Sequence, residues 1–262
     1  GYSSVAEPFD AKFHRSLVRA SDGSLYAAVA LLHCADRYLD APGSPILRYH
    51  PSTGRYERFA PPLPHVYIQS IALDEERGTL YALCFAPEYL IAWDMRTHET
   101  RVLALIGSGF GGITQSENLV VDGHGCVWSN RSLTRAWQSS PGADAWRLCK
   151  YDPQQGRVVF FQTGLPWPDG RPGFARAEAF FNLGGRLYAS GAQGSLYRLD
   201  PQTGEASFLF QAVGDEGRGR RSRLAAMAMG PDGLAYGVTG RDGECEVLRF
   251  DRRPAVFRRI AS

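Results

Sequence analysis

Apolar and polar positions alternate with a period of two in short runs along this chain, and each run stops at a glycine-bearing turn. Residues 13–33, FHRSLVRASDGSLYAAVALLH, set the pattern. They predict a strand, a tight turn at Ser21-Asp22-Gly23-Ser24 and a second strand, with a histidine at each outer end. The middle of this hairpin recurs as ALDEERGTLYAL (72–83), LVVDGHGCVWSN (119–130), FFNLGGRLYAS (180–190) and AMGPDGLAYGV (228–238). The second strand of each copy carries an aromatic: Tyr26, Tyr81, Trp128, Tyr188 and Tyr236, separated by 55, 47, 60 and 48 positions.

A second hairpin follows each first one: ILRYHPSTGRYERF (46–59), LIAWDMRTHETRVL (90–103), LCKYDPQQGRVVFF (148–161), LYRLDPQTGEASFL (196–209) and VLRFDRRPAVFRRI (247–260). Its Asp-Pro-x-x-Gly core makes a turn because Asp bonds nearby backbone, Pro presets φ and Gly takes positive φ. Two hairpins per repeat make a four-stranded unit. Repeats of this period predict an all-β fold, a β-propeller of four-stranded antiparallel blades. Each blade buries its faces against its neighbours, so no copy is stable alone. The expected organisation is one domain over 1–262, with blades near 14–60, 66–104, 116–162, 176–211 and 222–260. Five blades are visible, and a six- or seven-bladed parent accommodates the same pattern.

In an up-and-down blade the first and third turns lie on one face, and the remaining connections lie on the other. Here the first and third turns are short and stereotyped. The long irregular segments, 30–45, 60–69, 129–147, 162–178 and 211–223, all belong to the second class. They collect Trp137, Trp146 and Trp167 with Arg37, Arg131, Arg135, Arg171 and Arg176, so a ligand site is expected on that face. His50, His98 and His124 fall in the plain turns and read as solvated. His14, His33 and His65 point to the rich face. The starts of the first strands give His14 with Arg15, His65 and Tyr67, Glu117 with Asn118, Arg176 and Glu178, then Arg221 and Arg223. In a propeller these would ring the central channel.

Composition narrows the function classes. An apolar share of 44% supports a sizeable core, and 29 glycines with 16 prolines suit many turns. The net charge of +2 predicts no gross attraction to polyanions, and no nucleic-acid partner is expected despite the basic run at 218–223. Lys12 and Lys150 are the only lysines, so arginine supplies nearly all the positive charge. No apolar run reaches the length of a membrane-spanning helix. The chain opens at Gly1 without a basic-then-apolar leader, which fits a removed signal and an absent one alike. Five cysteines without a CxxC read as buried free thiols, with no zinc pattern. Free thiols point to the cytoplasm.

Residues 13–33 resemble the opening blade of the propeller-type polysaccharide lyases, including ulvan lyases and rhamnose–glucuronate lyases. Related propeller proteins of unassigned function share the pattern H-x-S-L-V-x-x-x-D-G-x-L-Y, which runs here from His14 to Tyr26. The resemblance implies β-elimination at a uronic acid, with a secreted or periplasmic setting. A base takes the C5 proton, an acid protonates the leaving oxygen, and arginine or a cation neutralises the adjacent carboxylate. By position His14 and His33 match the histidine pair, Tyr67 the acid or base, and Arg131 the carboxylate partner. His65, Arg135, Trp137, Arg176 and Arg223 would bind an acidic oligo- or polysaccharide. A divalent cation is left open as an assistant.

The chain also departs from that family. Those lyases are seven-bladed and longer. Residues 84–88 read Cys-Phe-Ala-Pro-Glu where an arginine is expected, and no histidine follows His124. The alternative is a non-catalytic propeller that grips a sugar or a protein, with Trp137, Trp146 and Trp167 in one exposed patch.

Overall fold

A computed structural model describes residues 10–31, 39–85, 87–107, 116–133, 145–211, 223–241, 244–252 and 255–261. The expectations for His33, Arg135 and Trp137 fall outside these residues. The described chain is all-β, built of antiparallel sheets with a 3-10 turn at Ala192–Gly194. Residues up to Val121 belong to one compact unit and those from Asp122 onward to a second.

In the first unit β1 (Asp10–Arg19), β2 (Leu25–Leu31), β3 (Ile46–His50) and β4 (Arg55–Arg58) pair antiparallel in chain order. The strands β5 (Tyr67–Asp74), β6 (Thr79–Phe85), β7 (Glu88–Asp94) and β8 (Thr100–Gly107) repeat the arrangement. The leading strands of the two sets lie side by side and run parallel, with Arg15 in register with Ser70. The short β9 (Val120–Val121) follows.

The second unit holds an antiparallel set of β10 (Val127–Ser132), β11 (Trp146–Asp152) and β12 (Arg157–Phe160). A small hairpin, β13 (Leu165–Pro166) with β14 (Phe174–Ala175), interrupts the segment expected to be irregular at 162–178. Two four-stranded sheets complete the unit. One comprises β15 (Ala179–Leu183), β16 (Arg186–Ser190), β17 (Ser195–Leu199) and β18 (Ala206–Gln211); the other comprises β19 (Arg223–Met229), β20 (Ala235–Arg241), β21 (Glu244–Arg252) and β22 (Ala255–Ala261).

The turns close as the sequence chemistry requires. Asp22 Oδ1 accepts the Ser24 amide at 2.7 Å, and Asp122 Oδ1 accepts those of His124 and Cys126 at 2.8 and 3.0 Å. Asp94, Asp152 and Asp200 each take two successive amides in the same way. Gly156 and Gly204 follow at φ +64° and +73°, a region that L side chains rarely enter. The amide bonds favour ionised carboxylates: Ser24, Thr97 and Thr203 lower the pKa of Asp22, Asp94 and Asp200 below 3.8.

Burial follows from strands that are apolar on both faces. In β6, residues 80–84 are all buried, and Leu80, Ala82 and Cys84 pack with Tyr26, Ile46, Ile71 and Trp93 into the core of the first unit. The leucine and isoleucine side chains among these contribute about 1.5–3 kcal/mol each when fully buried. The second unit has its own core around Phe181, Tyr188, Leu196, Leu224 and Phe250. Two histidines of the plain turns make side-chain contacts. His50 is half-buried, with Nδ1 3.3 Å from Ser24 Oγ and Nε2 3.4 Å from Glu57 Oε2. His98 is exposed but stacks on Trp93 at 5.1 Å.

Candidate functional site

In the first unit, the parallel pairing of β1 and β5 sets His14 beside Gln69 and gathers side chains from β1, β5, β7 and the segment before β9. Arg15 Nη1 donates to Asn118 Oδ1 at 2.7 Å, and its Nη2 lies 3.8 Å from Glu117 Oε2. Glu117 sits at φ +61°, a turn that allows it to face back toward β1. Asn118 Nδ2 donates to the Ser116 carbonyl at 3.3 Å, and the Leu119 amide donates to Ser70 Oγ at 3.1 Å. These bonds pin the segment to the strands.

His14 is half-buried, and its Nδ1 is shut off from solvent with no hydrogen-bond partner. Burial pushes its pKa below 6.5. The Glu117 carboxylate opposes that shift, Lys12 and Arg15 reinforce it, and the Gln69 backbone opposes it. The imidazole is therefore biased to its neutral form, which can accept a proton. Tyr67 packs on Phe85 with ring centroids 4.8 Å apart, and Gln69 Nε2 lies 3.5 Å from its hydroxyl. Burial raises its pKa above 10.0, with the Glu117 and Glu88 carboxylates adding to the rise against the Gln69 bond. A neutral imidazole and a protonated phenol are the states needed for a base and an acid.

Glu88 was not legible as a site residue. It is fully buried, and its Oε1 accepts the Ser116 amide at 2.6 Å. Gly107 lies against the other oxygen, where any Cβ would collide with the carboxylate. The sequence signal was a single acid opening the apolar run EYLIAWD. His65 Nδ1 is 2.9 Å from the Ala41 carbonyl, so that nitrogen carries the proton and ties the ring to the segment before β3.

In the second unit, Arg176 Nη2 and Arg223 Nη1 share Glu178 Oε2 at 3.1 and 3.6 Å. Arg176 also lies 5.7 Å from the Trp146 ring centroid. Trp146 is buried at 6% exposure because it opens β11, so it cannot join an exposed tryptophan patch. Trp167 is half-buried beneath Arg171, whose guanidinium carbon is 3.6 Å from the ring centroid. Arg131 is a strand residue of β10 and rests over Phe160 at 4.4 Å. On the turn side of this unit a cavity of about 460 Å³ is lined by His124, Arg186, Arg198 and Glu205, among others. Among the described residues no three His, Cys, Asp or Glu side chains gather as a metal site, and no helix is long and apolar enough to cross a membrane.

No protein-family model and no curated sequence matches the chain. Solved structures do match it in fold. A Bacteroides thetaiotaomicron protein of unknown function aligns with TM-score 0.58 at 12% identity, over 95% of this chain and 58% of that one. A chain of the nidogen/laminin complex aligns with TM-score 0.59 at 14% identity, over 97% of this chain and 81% of that one. Luciferin-regenerating enzyme aligns with TM-score 0.54 at 14% identity, covering 98% and 78%. These structures are β-propeller-like. The chain spans little more than half the length of the first of them. At such identities the likeness is one of fold alone. None of the three is named as a polysaccharide lyase, so that resemblance rests on the sequence pattern from His14 to Tyr26.

Proposed function

We propose that the chain is a β-propeller with five four-stranded blades in a single domain, acting on a uronate-containing glycan by β-elimination. One observation carries this reading: His14 is a half-buried imidazole with an unpartnered Nδ1, biased to its neutral form, in the same cluster as a phenol biased to its protonated form. His14 takes the C5 proton and Tyr67 protonates the leaving oxygen. Arg15 is held firmly by Asn118 and loosely by Glu117, and supplies positive charge to the carboxylate beside the reacting carbon. His33 belongs to the reading through the resemblance of residues 13–33. Arg176 and Arg223, two cations on the single carboxylate of Glu178, are contacts for the acidic chain.

The test is a panel of uronate polymers incubated with wild type, His14→Ala and Tyr67→Phe, with and without a divalent cation. Ultraviolet absorbance reports the unsaturated product. Product from wild type that falls at least about a hundredfold in His14→Ala supports the reading. No product on any polymer, or product insensitive to both substitutions, removes it.

A second reading has its own support. Arg15, a cation beside His14 in sequence, is already engaged by Asn118 and Glu117, as a structural lock would be. A non-catalytic propeller that grips a glycan or a protein would show saturable binding without product.

A further inference from the structure

The cavity on the turn side of the second unit is walled by one face of a sheet and by a turn of the preceding repeat. Arg198 of β17 lies opposite Tyr188 of β16 and Ser207 of β18. Side chains alternate between faces along a strand, so Arg186, two residues before Tyr188, shares the face of Arg198. Glu205, two residues before Ser207, shares it as well. Arg186, Arg198 and Glu205 all line the cavity, and His124 lines it from the turn between β9 and β10.

Contacts outside these charged groups fix the walls. Gly123 and Gly185 meet through their backbones: a Cβ on Gly123 would stand 3.1 Å from the Gly185 carbonyl oxygen. Lys150 Nζ donates to the Pro201 carbonyl at 2.5 Å, and Gly204 rests on the Phe161 ring, where any Cβ would collide. Two carboxylates of the lining are engaged in holding their own turns. Asp122 accepts from the His124 and Cys126 amides and from Trp128 Nε1, and Asp200 accepts from the Gln202 and Thr203 amides.

Three charges of the lining are not engaged. Among the described residues, no hydrogen bond or ion pair holds the side chain of Arg186, Arg198 or Glu205. Diagonal neighbours on antiparallel strands stand about 7–8 Å apart, within reach of long side chains. Arg198 and Glu205 are such neighbours, yet they do not pair, and the cavity opens beside them. All three residues are exposed, so a solute reaches them from water.

We propose that this cavity binds a small zwitterion, a free α-amino acid or a dipeptide. Its carboxylate bridges the guanidinium groups of Arg186 and Arg198, and its ammonium group takes the Glu205 carboxylate. An anion alone leaves Glu205 without a partner, and a cation alone meets two arginines of its own sign. The volume of about 460 Å³ accommodates a molecule of this size. The site uses no residue of the His14 cluster. Failure of the elimination assay therefore leaves it standing, and its own failure leaves the elimination reading intact.

The test is the thermal unfolding of the whole chain with L-alanine, L-glutamate, L-lysine or glycylglycine at matched chloride. Sodium acetate and ethylammonium chloride serve as the two half-ligands. A ligand that binds the folded state raises the melting temperature saturably, whereas an excluded osmolyte raises it without saturation. Expected is a saturable rise with at least one zwitterion, at an affinity about tenfold or more above that of either half-ligand. Arg198→Gln and Glu205→Gln should each weaken that zwitterion about tenfold or more. Both substitutions fall at exposed positions, so the variants keep the fold. L-alanine ahead of glycylglycine assigns a free amino acid, and the reverse order assigns a dipeptide. No saturable rise with any zwitterion, an equal rise with acetate, or an undiminished rise in either variant overturns the proposal.

Discussion

Arg15 Nη1 donates to Asn118 Oδ1 at 2.7 Å across 103 positions of sequence, tying the first strand of the first repeat to the opening of the third. The bond is charge-assisted and partly shielded from water, with the arginine side chain 26% exposed. Asn118→Ala should therefore destabilise the fold by about 1–3 kcal/mol. Urea denaturation of Asn118→Ala, Arg15→Gln and the double variant measures it. Additive losses would mean that the two side chains do not act on each other.

Stability should depend on pH through His14. Burial lowers its pKa in the folded state below 6.5, so the unfolded chain binds the proton more readily. Stability is then complete at higher pH and is lost as pH falls below the unfolded value, until the folded pKa is passed. The urea midpoint should drop as pH falls through and below 6.5, and His14→Gln should flatten that part of the slope. An identical slope in the variant would assign the dependence to other groups.

Gly107 leaves room for Glu88. Gly107→Ala should displace the carboxylate from the Ser116 amide and cost about 1–3 kcal/mol. Combining it with Glu88→Ala should cost less than the sum, because the collision is gone once the carboxylate is removed. Full additivity in melting temperatures would show that the two residues are uncoupled.

Cys84, Cys126 and Cys149 are buried free thiols, and burial pushes the Cys84 pKa up to about 12. The thiolate is the reactive form. None of the three should react with a thiol reagent in the native state, and all should react in denaturant. Peptide mapping after labelling reads this directly; rapid native labelling of Cys84 would contradict its placement.

What could be read from the sequence was local. Asp22, Asp94, Asp122, Asp152 and Asp200 announce their turns because each bonds amides within a few residues of itself. Tyr26, Tyr81, Trp128 and Tyr188 recur in the second strands because each fills a buried position there. Strand ends were harder. β10 runs through Ser132 and β11 opens at Trp146, so Arg131 and Trp146 are sheet residues where a loop was expected. Their side chains take positions set by the ladder, over Phe160 for one and in the interior for the other. Glu88 was hidden for a different reason. Its partner Ser116 is 28 positions away, and no periodicity reports a contact at that distance. The bond from His65 Nδ1 to a backbone carbonyl 24 positions earlier in the chain was hidden in the same way.

Ser44 links neighbouring sheets of the first unit: its hydroxyl donates to the Val29 carbonyl and accepts the Ile68 amide at 2.8 Å, while its own amide donates to the Val66 carbonyl at 3.0 Å. Severing the chain between the first and second repeats would thus strand polar backbone on both sides of the cut, beyond any loss of apolar contact. Single repeats of this protein are poor candidates for excision or exchange. Engineering that shortens or lengthens the array has to carry each serine along with the strand it serves.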